Sequence, residues 1–389
     1  MPVFIKFALR GAIVLVLILG AVAFWKREEI TRLMAVNSLF HAEKIVNNFS
    51  HMDAAFLHVP VAKGGGPVSA LPKADPMVLP ATVKDWIKAR NVTSLVVLKD
   101  GKMVYEDYYQ GTGADDLRIS WSVAKSFLSA LVGILIDEGK IGSIDDSVVK
   151  YAPSLKDSAY KTASLRNVLQ MSSGVTFDED YLDKSSDINR MGRVIALGGS
   201  LDGFAASLKD SYAKPGTVMQ YVSIDTHVIG MVVRGATGRT IPDLLSEKII
   251  IPLGLEKQPY YLTDGDGVAF VLGGLNLTTR DYARFGLMVA QDGFYNGQQI
   301  VPKTWLRTST KATANTAPGD FKYGYQWWIP AVNAAAGEFL ARGVYGQYIY
   351  INRPKGVVIA SNAADRGFKN DGVANANIEA MRAIVAALN

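Results

Sequence analysis

Residues 119–140, ISWSVAKSFLSALVGILIDEGK, set a serine and, one helical turn later, a lysine at the head of an oily segment in which Ser129 is the only polar side chain between Phe127 and Ile136. A buried ammonium is costly unless it is paired or loses its proton. Lys125 is therefore read as chemistry. Residues three apart share a helix face, so its amine reaches the hydroxyl of Ser122. Burial lowers the lysine pKa toward working pH and makes it a base for a serine nucleophile. The N–H of Ser122, at the helix start, is free to help hold an oxyanion.

Outward from this helix, TSLVVLKDGKMVYEDYY (93–109) alternates around Asp100-Gly101 and predicts a two-stranded hairpin. After the helix, SLRNVLQMSSG, IDTHVIGMVVRGATG and LTTRDYARFGLMVAQDG carry helical patterns, with Thr278 and Asp281 resembling a capping box. Strands return in YGYQWWIP (323–330) and in GQYIYINRPKGVVIASN (346–362), and a helix over 377–388 closes the chain. The expected fold is α+β: one antiparallel sheet built from the N- and C-terminal strands, flanked by helices, with a mostly helical subdomain inserted at about 121–320.

Three stretches are expected: a membrane anchor or signal over 1–29, a helical lead and linker over 30–80, and the compact domain over 81–389. In the first, Lys6 and Arg10 precede an uncharged run from Gly11 to Trp25, followed by Lys26 and Arg27. That run rises only about 22 Å, short of a ~30 Å hydrocarbon core, unless Phe7 to Leu9 extend it and Arg10 snorkels. Ala21-Val22-Ala23 offers a small-x-small cleavage site, but the apolar Phe24 and Trp25 make a poor border for it. The reading is an uncleaved anchor in the cytoplasmic membrane with the rest outside the cytoplasm; a cleaved signal and a soluble periplasmic or secreted protein is the alternative. In the second stretch, VAKGGGPVSALPKADPMVLP (61–80) is a linker or wrapped strap.

The 389 residues carry 41 basic and 36 acidic side chains with no long basic run, which argues against nucleic acid as a partner. No cysteine is present, so disulfides, thiol nucleophiles and thiolate metal sites are excluded. Of four histidines, His41, His51 and His58 precede the compact domain and His227 reads as an ordinary helix residue. A serine nucleophile here needs a base other than histidine, and no cofactor or metal site is expected.

Ser122-Val123-Ala124-Lys125 resembles the first motif of the serine β-lactamase and penicillin-binding-protein-like hydrolases, in the class C-like branch with esterases and 6-aminohexanoate-dimer hydrolases, over about residues 85–389. The resemblance implies a β-lactamase/transpeptidase-like fold. It places the second motif, Tyr-x-Asn in relatives, at Tyr221-Val222-Ser223. Tyr221 would relay protons between Ser122, Lys125 and the leaving group, and Ser223 shortens the usual asparagine. The third motif, Lys-Thr-Gly, has no literal match; Tyr345-Gly346-Gln347 is taken as its counterpart, with an oxyanion N–H near Gln347 or Tyr348, against a plain bulge at Gly343 and Gly346. Arg342 stands nearby as a partial replacement for the missing lysine. From MSSGVTFDEDYLDKSSD (171–187) the resemblance brings Tyr181 over the cleft, with Asp183 or Asp187 as the candidate acid, while the acid run itself reads as an ordinary solvated loop.

The expectation is an extracytoplasmic serine hydrolase that cleaves a small ester or amide through an acyl-enzyme. A D-alanyl-D-alanine peptidase or β-lactamase, and a catalytically silent membrane-held scaffold, are the alternatives. Oligomeric state and physiological substrate are not legible.

Overall fold

A computed structural model describes residues 3–319, 321–332 and 337–388; the expected boundaries at positions 1, 320 and 389 lie outside them. Seven strands form the main sheet: β1 (Val92–Lys99), β2 (Lys102–Tyr108), β3 (Phe321–Tyr323), β4 (Trp328–Pro330), β5 (Glu338–Gly343), β6 (Gln347–Asn352) and β7 (Val357–Ala363). Their spatial order is β2-β1-β7-β6-β5-β4-β3, and every neighbouring pair is antiparallel. The seam is β1 against β7, from Val357↔Lys99 to Ala363↔Val92, so the two ends of the domain are sewn into one sheet. This is the α+β architecture expected from the sequence, one antiparallel sheet built from both ends of the domain.

The longer helices are α1 (Val3–Trp25), α2 (Arg27–Asn37), α3 (Ala81–Ala89), α4 (Ala124–Asp137), α5 (Ile224–Thr237), α6 (Thr279–Ala290) and α7 (Val373–Ala386). Helix α7 presents Ile378, Met381, Ile384 and Val385, and α3 presents Val83, Trp86 and Ile87, to the sheet face carrying Leu95, Val97, Tyr350 and Ile359. Such three- and four-residue spacing puts one apolar stripe on the sheet. Helix α6 covers the other face, with Phe285, Met288 and Val289 against Val96, Leu98, Ile349 and Val358. A Cβ at Gly286 would meet Val358 and Ile349 side chains at 2.6 and 2.7 Å, so glycine permits that close approach. Strand β1 is buried on both faces, which is why it reads as an apolar run rather than a strict alternation.

Helix α4 is enclosed on all sides from Ala124 to Leu135. Phe127 stacks on Phe285 with centroids 3.6 Å apart, and the hydroxyls of Ser126 and Ser129 each donate to a backbone carbonyl, Gln326 O and Tyr325 O, at 2.7 Å. The buried serine hydroxyls of this helix thus have partners, as burial requires.

Side chains between Leu39 and Val61 pack into the domain ahead of Ala81. Leu39, Ile45, Phe49, Met52 and Val61 are buried in the core, and His58–Pro60 pairs antiparallel with Tyr260–Leu262 in a second, four-stranded sheet. The Gly/Pro-rich segment is a wrapped strap: the buried guanidinium of Arg284 donates twice to Ser69 O, at 2.9 and 2.8 Å. Helix α1 exposes its apolar side chains, Val16, Leu17, Phe24 and Trp25 among them. Among the described residues no helix is long and apolar enough to cross a membrane.

Candidate active site

Ser122 lies in the tight turn Trp121–Val123 that leads into α4 and faces a cleft of about 380 Å³. The preceding residue, Trp121, has φ 41°, a left-handed conformation that an indole side chain adopts only when its surroundings enforce it. Lys125, one turn on, is 1 % exposed. Its Nζ donates to Leu272 O at 2.6 Å and to Ser223 Oγ at 3.3 Å, and stands 5.6 Å from the centre of the Tyr221 ring. Burial drives its pKa down to about 7, against the opposing pull of Glu179. A neutral amine has two N–H groups and one lone pair. With both N–H groups committed, the lone pair is what remains for the cleft.

Tyr221 and Ser223 come from the segment that enters α5, with Ser223 as its N-terminal cap residue. The Tyr221 ring stacks on Trp328, centroids 5.1 Å apart, and meets Tyr323 edge-on. Burial and the nearby charge of Glu179 raise the pKa of its phenol, and the hydroxyls of Ser122 and Ser223 oppose the rise. The four residues Ser122, Lys125, Tyr221 and Ser223 are thus brought together.

The loop after Ser173 supplies both Tyr181 and an acid, but not either acid expected. Asp183 is spent on Ser185, and Asp187 on the N–H of Asp178 and an ion pair with Arg190. Glu179 lines the cleft instead. It accepts from the phenol of Tyr181, from Ser223 Oγ, and from Ser223 N at 2.8 Å. Burial raises the Glu179 pKa, while Lys125 and its hydrogen bonds pull it down.

The strand that borders the serine is also corrected, by a few residues. A Cβ at Gly343 would stand 2.7 Å from Ser120 O and 3.1 Å from Ser122 N, so Arg342-Gly343-Val344, all cleft-lining, runs against the nucleophile's backbone. Strand β4 pairs with β5 only at Trp328↔Leu340, which leaves this end of β5 open toward Ser122. Tyr345 and Gly346, at φ 59° and 89°, make the tight turn into β6. Gly346 still touches the cleft, whereas Tyr345 stacks on Phe40 with centroids 5.0 Å apart. The Gln347 amide faces into the sheet, donating to Ala363 O at 2.8 Å and accepting from Asn362 at 2.9 Å. Arg342 lies over the faces of Phe321 and Trp328 at 5.3 and 5.6 Å. His227 is buried against Asp202, Nε2 to Oδ1 2.7 Å, in an ion-pair group with Arg234. Among the described residues no cluster of side chains could hold a metal ion.

The family model described as Beta-lactamase matches residues 83–380. The chain belongs to the Beta-lactamase family. This Beta-lactamase-family chain is 28 % identical over 276 residues to the 6-aminohexanoate-dimer hydrolase of Paenarthrobacter ureafaciens, covering 67 % of the chain and 69 % of that enzyme. Its fold is similar to that of the solved "Putative 6-aminohexanoate-dimer hydrolase from Bacillus anthracis", with a TM-score of 0.80 at 24 % identity over 90 % of this chain and 96 % of that one. It is also similar to a family VIII carboxylesterase, with a TM-score of 0.60 at 15 % identity over 80 % and 99 %. The chain is a serine hydrolase of this family.

Proposed function

We propose that the protein cleaves a small ester or amide through an acyl-enzyme on Ser122, with Lys125 as general base and Tyr221 as proton relay. The observation that carries this reading is the lysine. Its amine is buried, lowered to about 7 and spent on two acceptors, one helical turn from a serine that faces a cleft. Lys125 takes the Ser122 Oγ proton as the Oγ–carbonyl carbon bond forms. The N–H of Ser122 and the neighbouring N–H of Val344 are the donors for the tetrahedral oxyanion. Tyr221, whose raised pKa keeps it a phenol, passes a proton to the leaving alkoxide or amine as that bond breaks, and takes one from Lys125 in exchange. Water then attacks the acyl group with the roles reversed.

The test is turnover of p-nitrophenyl butyrate and of a linear amide by wild type and by Ser122→Ala. Loss by at least ~10³-fold with an unchanged circular dichroism spectrum is expected. Activity near wild type would remove Ser122 as nucleophile.

Helix α1 supports a further part of the proposal: residence at the cytoplasmic membrane with the catalytic domain outside the cytoplasm. Although no helix among the described residues is long and apolar enough to cross a membrane, the exposed Ile13, Leu15, Leu17, Leu19 and Phe24 of its uncharged Gly11–Trp25 run would be covered at an apolar surface. The basic start with Lys6 and Arg10 fits an export segment.

A further inference from the structure

We infer that Glu179 is a positioning residue for Lys125, acting through the hydroxyl of Ser223, so that the ammonium formed when Lys125 takes the serine proton is held by an ordered chain from Nζ–H to Ser223 O–H to carboxylate. The inference rests on the Ser122–Lys125 reading and adds to it two residues that steer the base.

The direction of each hydrogen bond fixes the chain. Ser223 has one hydroxyl hydrogen, and it goes to Glu179. The same oxygen therefore accepts from Lys125, at 3.3 Å. Glu179 in turn receives three donors, the Tyr181 phenol, Ser223 Oγ and Ser223 N, and gives none. Three donors converging on one carboxyl group fit its ionised form. Burial opposes that charge, and Lys125, once it has become an ammonium, is the cation that acts on it.

The groups that face Glu179 come from every side. Lys125 lies on α4, Tyr181 on its own loop and Tyr221 on the segment before α5. Asp225, in the first turn of α5, is a like-charged neighbour whose carboxyl burial pushes up to about 7, and it is held by Tyr160 and Ser173. Arg342 on β5 acts on Tyr221 from the far side. Lys125 is the cation that acts on Glu179, and Glu179 in turn raises the Lys125 pKa against the larger effect of burial.

In acylation the proton leaves Ser122 Oγ for the Lys125 lone pair, giving an ammonium with three N–H groups. Two keep their bonds to Leu272 O and Ser223 Oγ, and the third occupies the cleft direction, ready to pass to Tyr221 and the leaving group. Glu179 takes up no proton; it stabilises the charge while it exists.

The experiment is the pH profile of kcat/KM for p-nitrophenyl butyrate in wild type, Glu179→Gln, Ser223→Ala, Ser223→Thr and the Glu179→Gln/Ser223→Ala double variant. Removing the carboxylate charge takes away what raises the lysine pKa, so the acidic limb moves to lower pH, by about one unit. The pH-independent rate falls by roughly 10- to 100-fold for loss of one preorganised charge-assisted contact. Ser223→Ala shows the same loss, Ser223→Thr restores most of it, and the double variant is no worse than the more impaired single. A rate loss with an unmoved limb, additive losses, or equal activities of Ser223→Ala and Ser223→Thr would overturn the inference. Should Glu179→Gln fail to fold by circular dichroism, the Ser223 pair decides alone. Ser122→Ala separates the two levels: if it is inactive while the limb is unmoved, only the role of Glu179 falls; if it retains activity, the acyl-enzyme reading falls first.

Discussion

At the scale of the residue, what sets the chemistry is how one amine is hidden. Lys125 has an ordinary pKa of 10.5, and burial brings it to about 7. The base must be neutral to take the serine proton, so kcat/KM is expected to rise with pH through an acidic limb near 7 and to be lost below it. A profile flat from pH 5 to 8 would contradict a lysine base. Lys125→Ala removes the base itself and should cost on the order of 10³-fold or more, far beyond any helix-propensity effect, since Ala is the better helix former. These residues were legible because their relation is local: three positions apart on a helix is a fixed geometry. Glu179 was not. It stands among five acids between Asp178 and Asp187, and nothing in that polar run marks which one turns inward; the donors that hold it, Ser223 N and Oγ, come from 44 residues away.

At the scale of the element, the end of β5 controls access to the nucleophile. Gly343→Ala would press a methyl group against Ser120 O and Ser122 N, at 2.7 and 3.1 Å, where backbone cannot yield cheaply. Overpacking of this kind costs about 1–3 kcal/mol, and the displaced strand should lower kcat/KM for p-nitrophenyl butyrate by roughly tenfold or more. A variant with wild-type activity and melting temperature would show that the strand is not held against the serine. The same element bears on substrate. Tyr345, the expected counterpart of the β-lactamase lysine, stacks on Phe40, and the nearby Arg342 is laid over Phe321 and Trp328. Its guanidinium is committed to two aromatic faces, so capture of a drug carboxylate is weakened, and a short ester is expected to exceed nitrocefin in kcat/KM by at least about tenfold, or 1.36 kcal/mol. Nitrocefin turned over as fast as the ester would put β-lactam hydrolysis first. Expectation and structure differ here by only a few residues, because with no lysine to mark it the turn Tyr345-Gly346 looks as much like a motif as the strand end before it.

At the scale of the whole molecule, the domain is closed by contacts between distant parts of the chain. The hairpin β1–β2 and the strands β6 and β7 were recognisable from turn chemistry and apolar runs, and their union in one sheet follows from strands at both ends enclosing helices, whereas β5 (Glu338–Gly343) was not read as a strand. The strap was less legible, since a glycine- and proline-rich segment carries no periodicity to say what it packs on. Its anchor is a buried ionic group: Arg284, 2 % exposed, holds Ser69 O, Asp281 and Glu256. Arg284→Met leaves the buried Asp281 without its cation and should destabilise the domain by about 3–5 kcal/mol; a denaturant midpoint shifted by less than the equivalent of 1 kcal/mol would show that the strap is held otherwise. For residence, the full chain is expected to fractionate with membranes and to be protease-accessible from outside the cytoplasmic membrane, and a soluble mature protein beginning near Phe24 would favour the cleaved signal.

The most direct test of the central claim is covalent. Purified protein treated with a fluorophosphonate probe, digested and mapped by mass spectrometry should carry a single adduct on Ser122, formed faster above pH 7 than below it and absent in Ser122→Ala. An adduct on another residue, or undiminished labelling of Ser122→Ala, would contradict the account.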